Sequence, residues 1–598
     1  MIERITLILM MLFVWFSIAQ KKTPYKAQWQ FPAKDTSMKV TLNQQKELLA
    51  SEEDMTWFKD AKLGIFVHWG PALLETDVLS WGRFGDRPGA GKAATDGVDP
   101  EVYDNLYKLF NPVNFDADKW MQHVKDFGAS YLVFTAKHHD GFCFFDAKNT
   151  DFDIMNTPYG KDICKQLANA AHKAGIKIFW YYSQPDWHHP DCLRENHYEN
   201  YLPYMKEHVN QLFTDYGRID GVFWDHLATK YWQWDSYHVL KQLKIEQPGL
   251  LSNSRVGFGW PDDSLRGDYE NPEQSLGPIN HPRYWEACLT MTDKWLYHKN
   301  GPIKPSETIL GMLIQVIGNG GNLLLNFGPN GEGEFVKEEA EQGYKVGAFL
   351  KQYGHTLYNT RKGLLMGGDW GASTQKGNIL YLHFIEKVSD NSQAIFELPE
   401  LPTEIITVTG ITDGFIGYEI NNNKLIIKFD KNKYNNHLDN IVALELKENP
   451  KNYDRIETWE AKPVSSLEFN ASSSSFSKEK NNPDIIYGNK GNVFSEGIHL
   501  KSWWEPEKND QAPWLQLDFK TPKNLKTILL SENMRSHSLR KFSIETKDIN
   551  GNWKKVYTGQ TIGEGLRIKL NGNSIRAIRF NVLESIYTTQ ITAFNVYE

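Results

Sequence analysis

The chain has 598 residues, more than one hydrophobic core accommodates, so surface-to-volume scaling predicts roughly two to four domains. Its 66 basic and 74 acidic residues leave a net charge of −8, and no basic run is long enough to track a phosphate backbone, which excludes nucleic acid as a partner. Aromatic residues make up 13%, with 20 Trp and 27 Tyr, a share that suits stacking on sugar faces and equally suits a large aromatic core.

At the start, Arg4 precedes an apolar run from Ile5 to Ile18, broken only by Thr6 and Ser17, and Ala19 stands before polar Gln20 and Lys21. A basic start, an apolar segment shorter than the roughly 20 residues of a membrane span and a small residue before the polar chain predict a cleavable secretory signal over residues 1–20. An uncleaved anchor is the alternative. No Cys follows to accept a lipid and no second long apolar segment occurs, so the mature chain is expected to be exported, periplasmic or secreted, without a membrane span. Cys143, Cys164, Cys192 and Cys288 are the only cysteines and none has CxxC spacing, which argues against a zinc thiolate site and for a fold held by its cores. A Cys164–Cys192 bridge stays open.

From Asp54 to Gly354, short apolar runs alternate with helical stretches. Leu63 to Gly70 reads as a strand running into His68 and Trp69. Phe115 to Lys125 has helical spacing and leads through Gly128 to a second strand at Tyr131. Asp162 to Ala174 is a helix stopped by Gly175 before the strand Ile176 to Tyr181, and Tyr201 to Tyr216 is a helix stopped by Gly217 before the strand that ends at Asp225. Leu250 to Asn253 and Asn322 to Phe327 supply further strands, and Lys337 to Tyr353 a closing helix. Strands alternating with helices imply parallel pairing with right-handed crossovers, and their number over this length predicts an α/β fold, a (β/α)₈-like barrel over residues 21–365. No Gly-x-Gly-x-x-Gly follows the first strand and no Walker loop occurs. Residues 366–450 change to short runs split by turn residues, as at Asn378 to Phe384, Lys424 to Lys428 and Ile441 to Leu446, and predict a β-sandwich. Residues 451–463 read as a linker, and residues 464–598 as a second β-sandwich.

Four barrel strands change abruptly from apolar to polar at their ends, and such ends share one mouth. His68, Trp69, His138, His139, Tyr181 and Asp225 are therefore expected to converge. Asp225 directly follows the apolar Val222-Phe-Trp224, a costly place for a carboxylate unless it is bonded or used. Glycoside hydrolysis needs a second carboxyl, and Glu273 and Glu286 are the candidates. The competing chemistry is a metal hydrolase built on His138, His139 and Asp140 with His188 and His189. Adjacent histidines on a strand would face opposite ways, which argues against joint ligation.

The motifs "KLGIFVHWGP", "YLVFTAKHHDGFCFFD", "KAGIKIFWYYS" and "YGRIDGVFWD", in this order, resemble the α-L-fucosidases of glycoside hydrolase family 29 over about Ala50 to Gly368. The resemblance implies a retaining, exo-acting α-L-fucosidase on fucosylated oligosaccharides or polysaccharides, with no metal or cofactor. It implies Asp225 as nucleophile and His68, His138, His139, Tyr181 and Arg255 as contacts to the fucose hydroxyls. Family members differ in the loop that supplies the acid/base. Both the "YWEAC" and the "NPEQ" glutamates occur here, and Glu286 is preferred over Glu273, although a strand starting nearby would place Glu286 at the wrong end. Many members carry a Glu-Trp pair after the first strand where this chain has Ser80-Trp81. With Arg83 and Arg87 close by, a sulfated fucose or L-galactose is an alternative substrate. The run "APWLQLDF", the later "IRAIRFNV" and a terminal strand ending at Val596 resemble a discoidin or coagulation-factor type C domain, some of which bind sugars. A non-catalytic lectin is the remaining alternative class.

Overall fold

A computed structural model describes residues 41–598 except 91–92, 228, 258–266, 275, 277–282, 369, 386–393, 459–463, 479–482, 484–502, 533–537, 560–561, 563–565 and 586–587. The expected signal segment, residues 1–20, lies outside the described residues, as does the end of the expected linker. Among the described residues no helix is long and apolar enough to cross a membrane.

Seven parallel strands form the first sheet: β1 (Leu63–Val67), β2 (Tyr131–Lys137), β3 (Lys177–Ser183), β4 (Gly221–Asp225), β5 (Leu251–Ser252), β6 (Glu286–Thr290) and β7 (Asn322–Phe327). Their order is β5-β4-β3-β2-β1-β7-β6. The gap between β5 and β6 is bridged by residues 268–274, through single parallel bridges Asn253↔Tyr269, Glu270↔Trp285 and Glu273↔Cys288. That segment takes the place of an eighth strand, and the sheet curls into the barrel the alternating pattern predicts.

The strands are buried on both faces, as parallel strands under crossover helices must be. Ile65, Val67, Leu132, Phe134, Trp180 and Val222 point outward into the large core shared with the helices. Phe66, Val133, Phe179, Tyr181, Phe223 and Leu324 point inward and fill the barrel. The helices follow their sequence signals closely. The helix Ala117–Asp126 starts at the Asp116 cap, whose side chain accepts from Lys119 N–H. The helix Ile163–Ala174 is capped by Asp162 and ends on Gly175, which sits at φ 68°, a left-handed position glycine adopts without a Cβ penalty.

The second unit has a five-stranded sheet of β8 (Arg361–Lys362), β9 (Gly371–Lys376), β10 (Ile379–Phe384), β12 (Ile405–Gly410) and β15 (Asn440–Leu446). Its companion is a three-stranded sheet of β11 (Ala394–Pro399), β13 (Phe415–Asn421) and β14 (Lys424–Phe429), and both contribute to one core around Phe384, Phe396 and Phe429. The stretch read as a linker is partly structured: Ile456 bridges Leu365, and Arg455 donates to the carbonyls of Gly363 (2.9 Å) and Gly318 (2.8 Å).

The C-terminal unit is antiparallel: β16 (Phe469–Ser473), β17 (Trp514–Glu532), β18 (Leu539–Lys547), β19 (Trp553–Gly559), β20 (Leu566–Ser585) and β21 (Ile591–Tyr597). The two longest strands, β17 and β20, slip register three times between Asp518 and Thr527. Such bulges bend a strand and let one sheet fold over its own core, here centred on Trp504, Phe542 and Phe580. All four cysteines are free and buried, so the Cys164–Cys192 bridge does not form.

Candidate active site

Asp225 closes β4 on the inward-facing parity of Phe223, which aims its carboxylate into the barrel mouth. Two donors hold it and a third group lies close. The Tyr181 hydroxyl donates to Oδ2 at 2.8 Å, Arg255 Nη1 donates to Oδ1 at 3.2 Å, and His139 Nε2 lies 3.6 Å from Oδ2. Burial works against the charge most strongly, yet Arg255 and its other partners keep the Asp225 carboxyl below the usual aspartate range. Burial, reinforced by Asp225, pushes the Tyr181 phenol well up, so it stays a donor.

The same guanidinium serves a second carboxylate: Arg255 Nη2 donates to Glu273 Oε2 at 2.7 Å. Glu273 stands on the bridging segment beside Cys288, at the rim of the mouth. Burial again opposes ionisation first, but Arg255 prevails and holds its carboxyl below the usual glutamate range. One arginine thus spans two ionised carboxylates and pays for part of the desolvation of both.

Around them sit three imidazoles, each oriented by one hydroxyl or amide. His68 Nδ1 is 2.7 Å from Asn326 Oδ1, while the Asn326 amide donates to Trp295 O at 2.8 Å. The Asn326 oxygen therefore accepts, the proton is on Nδ1, and His68 Nε2 is left as an acceptor. At His139 the Ser183 hydroxyl donates to Pro185 O (2.7 Å), so it accepts from Nδ1 (2.7 Å), and Nε2 is again an acceptor. At His138 the pattern reverses. Ser80 Oγ accepts from Asp140 N–H at 2.9 Å and lies 2.5 Å from Nδ1, so its hydrogen goes to the ring and Nε2–H becomes a donor. Burial keeps His68 and His139 down at about 4 and holds His138 well below the usual imidazole range, so all three are neutral near pH 7. Two acceptors and one donor in a buried ring are what a polyhydroxylated ligand requires. The His138 ring lies parallel to Tyr181, 4° between planes and 5.4 Å between centroids.

Glu286 is elsewhere, and the preference for it as acid/base is corrected. It is the first residue of β6, level with Asn322 at the start of β7, and therefore sits on the barrel floor. There it is fully buried, accepting from the Tyr131 hydroxyl at 2.6 Å and from Asn271 Nδ2 at 3.3 Å. Burial pushes its carboxyl up to about 8. Trp69 is a second correction. It continues the outward parity of Ile65 and Val67, donates Nε1–H to Asn330 O at 3.0 Å and stacks on Phe144 at 5.4 Å, so it belongs to the barrel–helix core. Trp81 is in the site, over a third exposed and edge-on to His139 at 5.8 Å.

The arginines flanking Trp81 do not offer a sulfate fork. Arg83 Nε and Nη2 each bind Asp104 at 2.7 Å. Arg87 lies between the Trp81 and Trp187 rings, 5.4 and 5.5 Å from their centroids, and donates to the backbone carbonyls of Trp81 and Arg83. The metal-ligand grouping also changes. Asp140 turns away to accept from Tyr103 at 2.8 Å, and His188 stacks on Phe152 at 4.2 Å. His138 and His139 lie beyond the end of β2, so strand alternation does not separate them and their rings are 4.2 Å apart. With Asp225 they form a three-donor group whose ligand atoms lie within 4.8 Å of one another.

Several site residues carried no sequence signal. Trp295, 4.8 Å from His68, walls the pocket from the loop after β6. Asn326 and Ser183 fix tautomers from strand ends that read as ordinary polar residues. Gly141 sits at φ 91°, and a Cβ there would lie 2.4 Å from Asp186 Oδ1. Its bareness lets Asp186 reach Lys137, at 3.4 Å, under the two histidines.

A barrel-mouth pair of carboxylates on one arginine, ringed by neutral imidazoles and aromatic walls, defines a glycoside hydrolase. Residues 30–355 match the family model "Alpha-L-fucosidase", and residues 485–580 match "NedA-like, galactose-binding domain". Plasma alpha-L-fucosidase of Homo sapiens is 28% identical over 370 residues, covering 57% of this chain and 78% of that protein. Among solved structures, alpha-L-fucosidase isoenzyme 1 from Paenibacillus thiaminolyticus superposes with a TM-score of 0.57 at 28% identity, over 66% of this chain and 99% of that one. The alpha-L-fucosidase from Vibrio sp. strain EJY3 shares the fold across 93% of this chain and 99% of its own, with a TM-score of 0.60 at 18% identity. The chain belongs to the alpha-L-fucosidase family.

Proposed function

We propose that the protein is a retaining, exo-acting α-L-fucosidase in which Asp225 is the nucleophile and Glu273 the acid/base. The observation that carries this reading is the Arg255 bridge, with Nη1 on Asp225 (3.2 Å) and Nη2 on Glu273 (2.7 Å). Retaining pairs stand about 5–5.5 Å apart, a separation one guanidinium gripping both carboxylates spans. In the first step Asp225 attacks the anomeric carbon while the protonated form of Glu273, which the Arg255 contact disfavours in the free enzyme, gives its proton to the leaving oxygen. The C–O bond to the leaving sugar breaks and a fucosyl ester on Asp225 forms. In the second step Glu273 takes a proton from water, the water oxygen attacks the anomeric carbon, and Asp225 leaves as the carboxylate that Tyr181 and Arg255 are placed to receive. His68 and His139 accept from sugar hydroxyls and His138 donates to one, while Trp81 and Trp295 cover apolar faces of the ring.

Asp225→Ala abolishes turnover of any α-L-fucoside. Glu273→Ala loses about 10²–10⁴-fold on an oligosaccharide leaving group, which needs protonation, and far less on an activated aryl fucoside. Azide restores the Glu273→Ala aryl reaction as an α-fucosyl azide, because it attacks the β-linked covalent intermediate with a second inversion. A β-fucosyl azide, or equal losses on both substrates, would refute the assignment.

Export is proposed on the strength of the apolar run Ile5 to Ile18 behind Arg4. N-terminal sequencing of the protein from its own cells tests it, since an intact Met1 would contradict cleavage. Engagement of a fucosylated polymer by the C-terminal sandwich is supported by the galactose-binding-domain match.

A further inference from the structure

Trp81 stands on the short 3₁₀ turn Leu79–Gly82, in the loop after β1, and its ring is 37% exposed. The turn is strained: Leu79 sits at φ 47°, a left-handed position that a residue with a side chain keeps only when its surroundings hold it there. Arg87 supplies that hold. Its side chain is buried, and its guanidinium lies in the corner between two indoles, 5.4 Å from the Trp81 centroid and 5.5 Å from the Trp187 centroid, with the ring planes at 79°. A cation within about 6 Å of an indole face is attracted by the ring quadrupole, most strongly away from water. Nη2 donates as well to the carbonyl of Trp81 and, at 3.0 Å, to that of Arg83. One guanidinium thus grips Trp81 by its ring and by its backbone.

Trp187 carries the grip on to a histidine of the site. It is buried on the loop after β3, where its backbone N–H donates to His139 O at 2.7 Å and its ring lies 5.1 Å from the His139 ring. Its indole N–H donates to Pro88 O at 3.1 Å, next to Arg87 in the chain. Arg87 and Trp187 therefore join the loops after β1, β2 and β3, and they set the Trp81 ring edge-on to His139 at 5.8 Å.

We propose that Arg87 is a positioning residue for sugar binding: it holds Trp81 against His139 so that the apolar wall and the imidazole meet the fucose ring as one pre-set surface. The inference rests on Trp81 covering an apolar face of the fucose. Arg87 acts through that ring, and a wall that touches the sugar equally in the ground state and in the transition state changes KM and leaves kcat.

The test uses the full-length protein and measures kcat and KM on an activated aryl fucoside, with the inhibition constant of free fucose, for wild type, Arg87→Ala, Trp81→Ala and the double variant. Arg87→Ala raises KM and the fucose inhibition constant about tenfold, with kcat within about threefold of wild type. Trp81→Ala gives a similar rise, and the double variant is no worse than Trp81→Ala, because both changes act through one ring. Wild-type fucose affinity in Arg87→Ala, a loss confined to kcat, or losses that multiply in the double variant would each overturn the inference. Arg87→Lys keeps the charge but not the flat fork, and it raises KM about threefold. It decides the matter if Arg87→Ala does not fold, and a wild-type KM in it would then overturn the inference. If Trp81→Ala itself keeps wild-type fucose affinity, the placement of Trp81 on the sugar fails; if only Arg87→Ala keeps it, the role of Arg87 alone fails.

Discussion

Glu286→Gln separates the two glutamates by stability as well as by rate. The Glu286 carboxyl is fully buried on the barrel floor and burial raises it from 4.5 to about 8. A carboxyl whose folded-state value is raised binds its proton more tightly in the folded protein. The wild type is therefore unpenalised below about 4.5, loses stability as pH climbs from there, and has lost the full amount by about 8. At pH 7 the interval above the ordinary glutamate value of 4.5 is about 2.5 pH units, which at about 1.36 kcal/mol per unit gives a penalty of about 3 kcal/mol. Glutamine has the same shape and no charge to bury. Its oxygen accepts from Tyr131 as the carboxylate does, and its amide donates to Asn271 Oδ1, a buried atom with no partner among the described residues, once that side-chain amide turns over. Thermal unfolding from pH 4.5 to 8.5 should show the variant matching wild type at the acid end and pulling ahead as pH rises, by about 6 °C at pH 7. Its kcat/KM on an oligosaccharide should stay within about threefold of wild type, because no step of the reaction touches the floor. A hundredfold loss of kcat/KM, or a melting difference that does not grow with pH, would refute the placement of Glu286 and with it the choice of Glu273.

Three further outcomes follow from the geometry. Asn326→Ala releases the His68 tautomer and should raise KM for fucose-terminated substrates and weaken fucose inhibition about tenfold, with the melting temperature little changed; unaltered fucose affinity would show that His68 is oriented by something else. Trp69→Ala removes a fully buried ring and should cost about 3–5 kcal/mol of barrel stability, so a soluble variant with wild-type melting and a raised KM would return Trp69 to the substrate site. The His138–His139–Asp225 group, two neutral imidazoles and an ionised carboxylate, should capture added Zn²⁺ or Cu²⁺, giving inhibition competitive with fucose that a chelator reverses, while chelator alone leaves the rate unchanged; a rate lost to chelator and restored by one metal would mean the ion is part of the reaction.

The barrel was legible because its strands obey local rules: β-branched and aromatic runs, glycine stops and aspartate caps each act within a few residues. The eighth position was not, because residues 268–274 join the sheet through isolated bridges and carry no strand pattern of their own. That irregular stretch is the one that bears Glu273. The strand-end rule counted against Glu286, at the start of a strand, but it had no way to score a glutamate on a segment defined only by its neighbours.

Parity explains the rest. His68 and Trp69 are adjacent and equally suited in composition to a sugar site, yet successive residues leave a strand in opposite directions. His68 continues the inward set of Phe66 and enters the pocket, whereas Trp69 continues the outward set of Val67 and enters the core. The rule fails at His138 and His139, because β2 has ended and the Gly141 turn brings both rings to one side. Where a strand stops therefore matters as much to the site as which residues it contains. Hydrogen bonds that set tautomers, such as Ser80 to His138 and Asn326 to His68, join positions 58 and 258 residues apart and exist only once the barrel has closed. The donor and acceptor pattern that meets the sugar is thus a property of barrel closure, and a substitution that loosens the β1–β7 seam should degrade fucose affinity before it unfolds the protein.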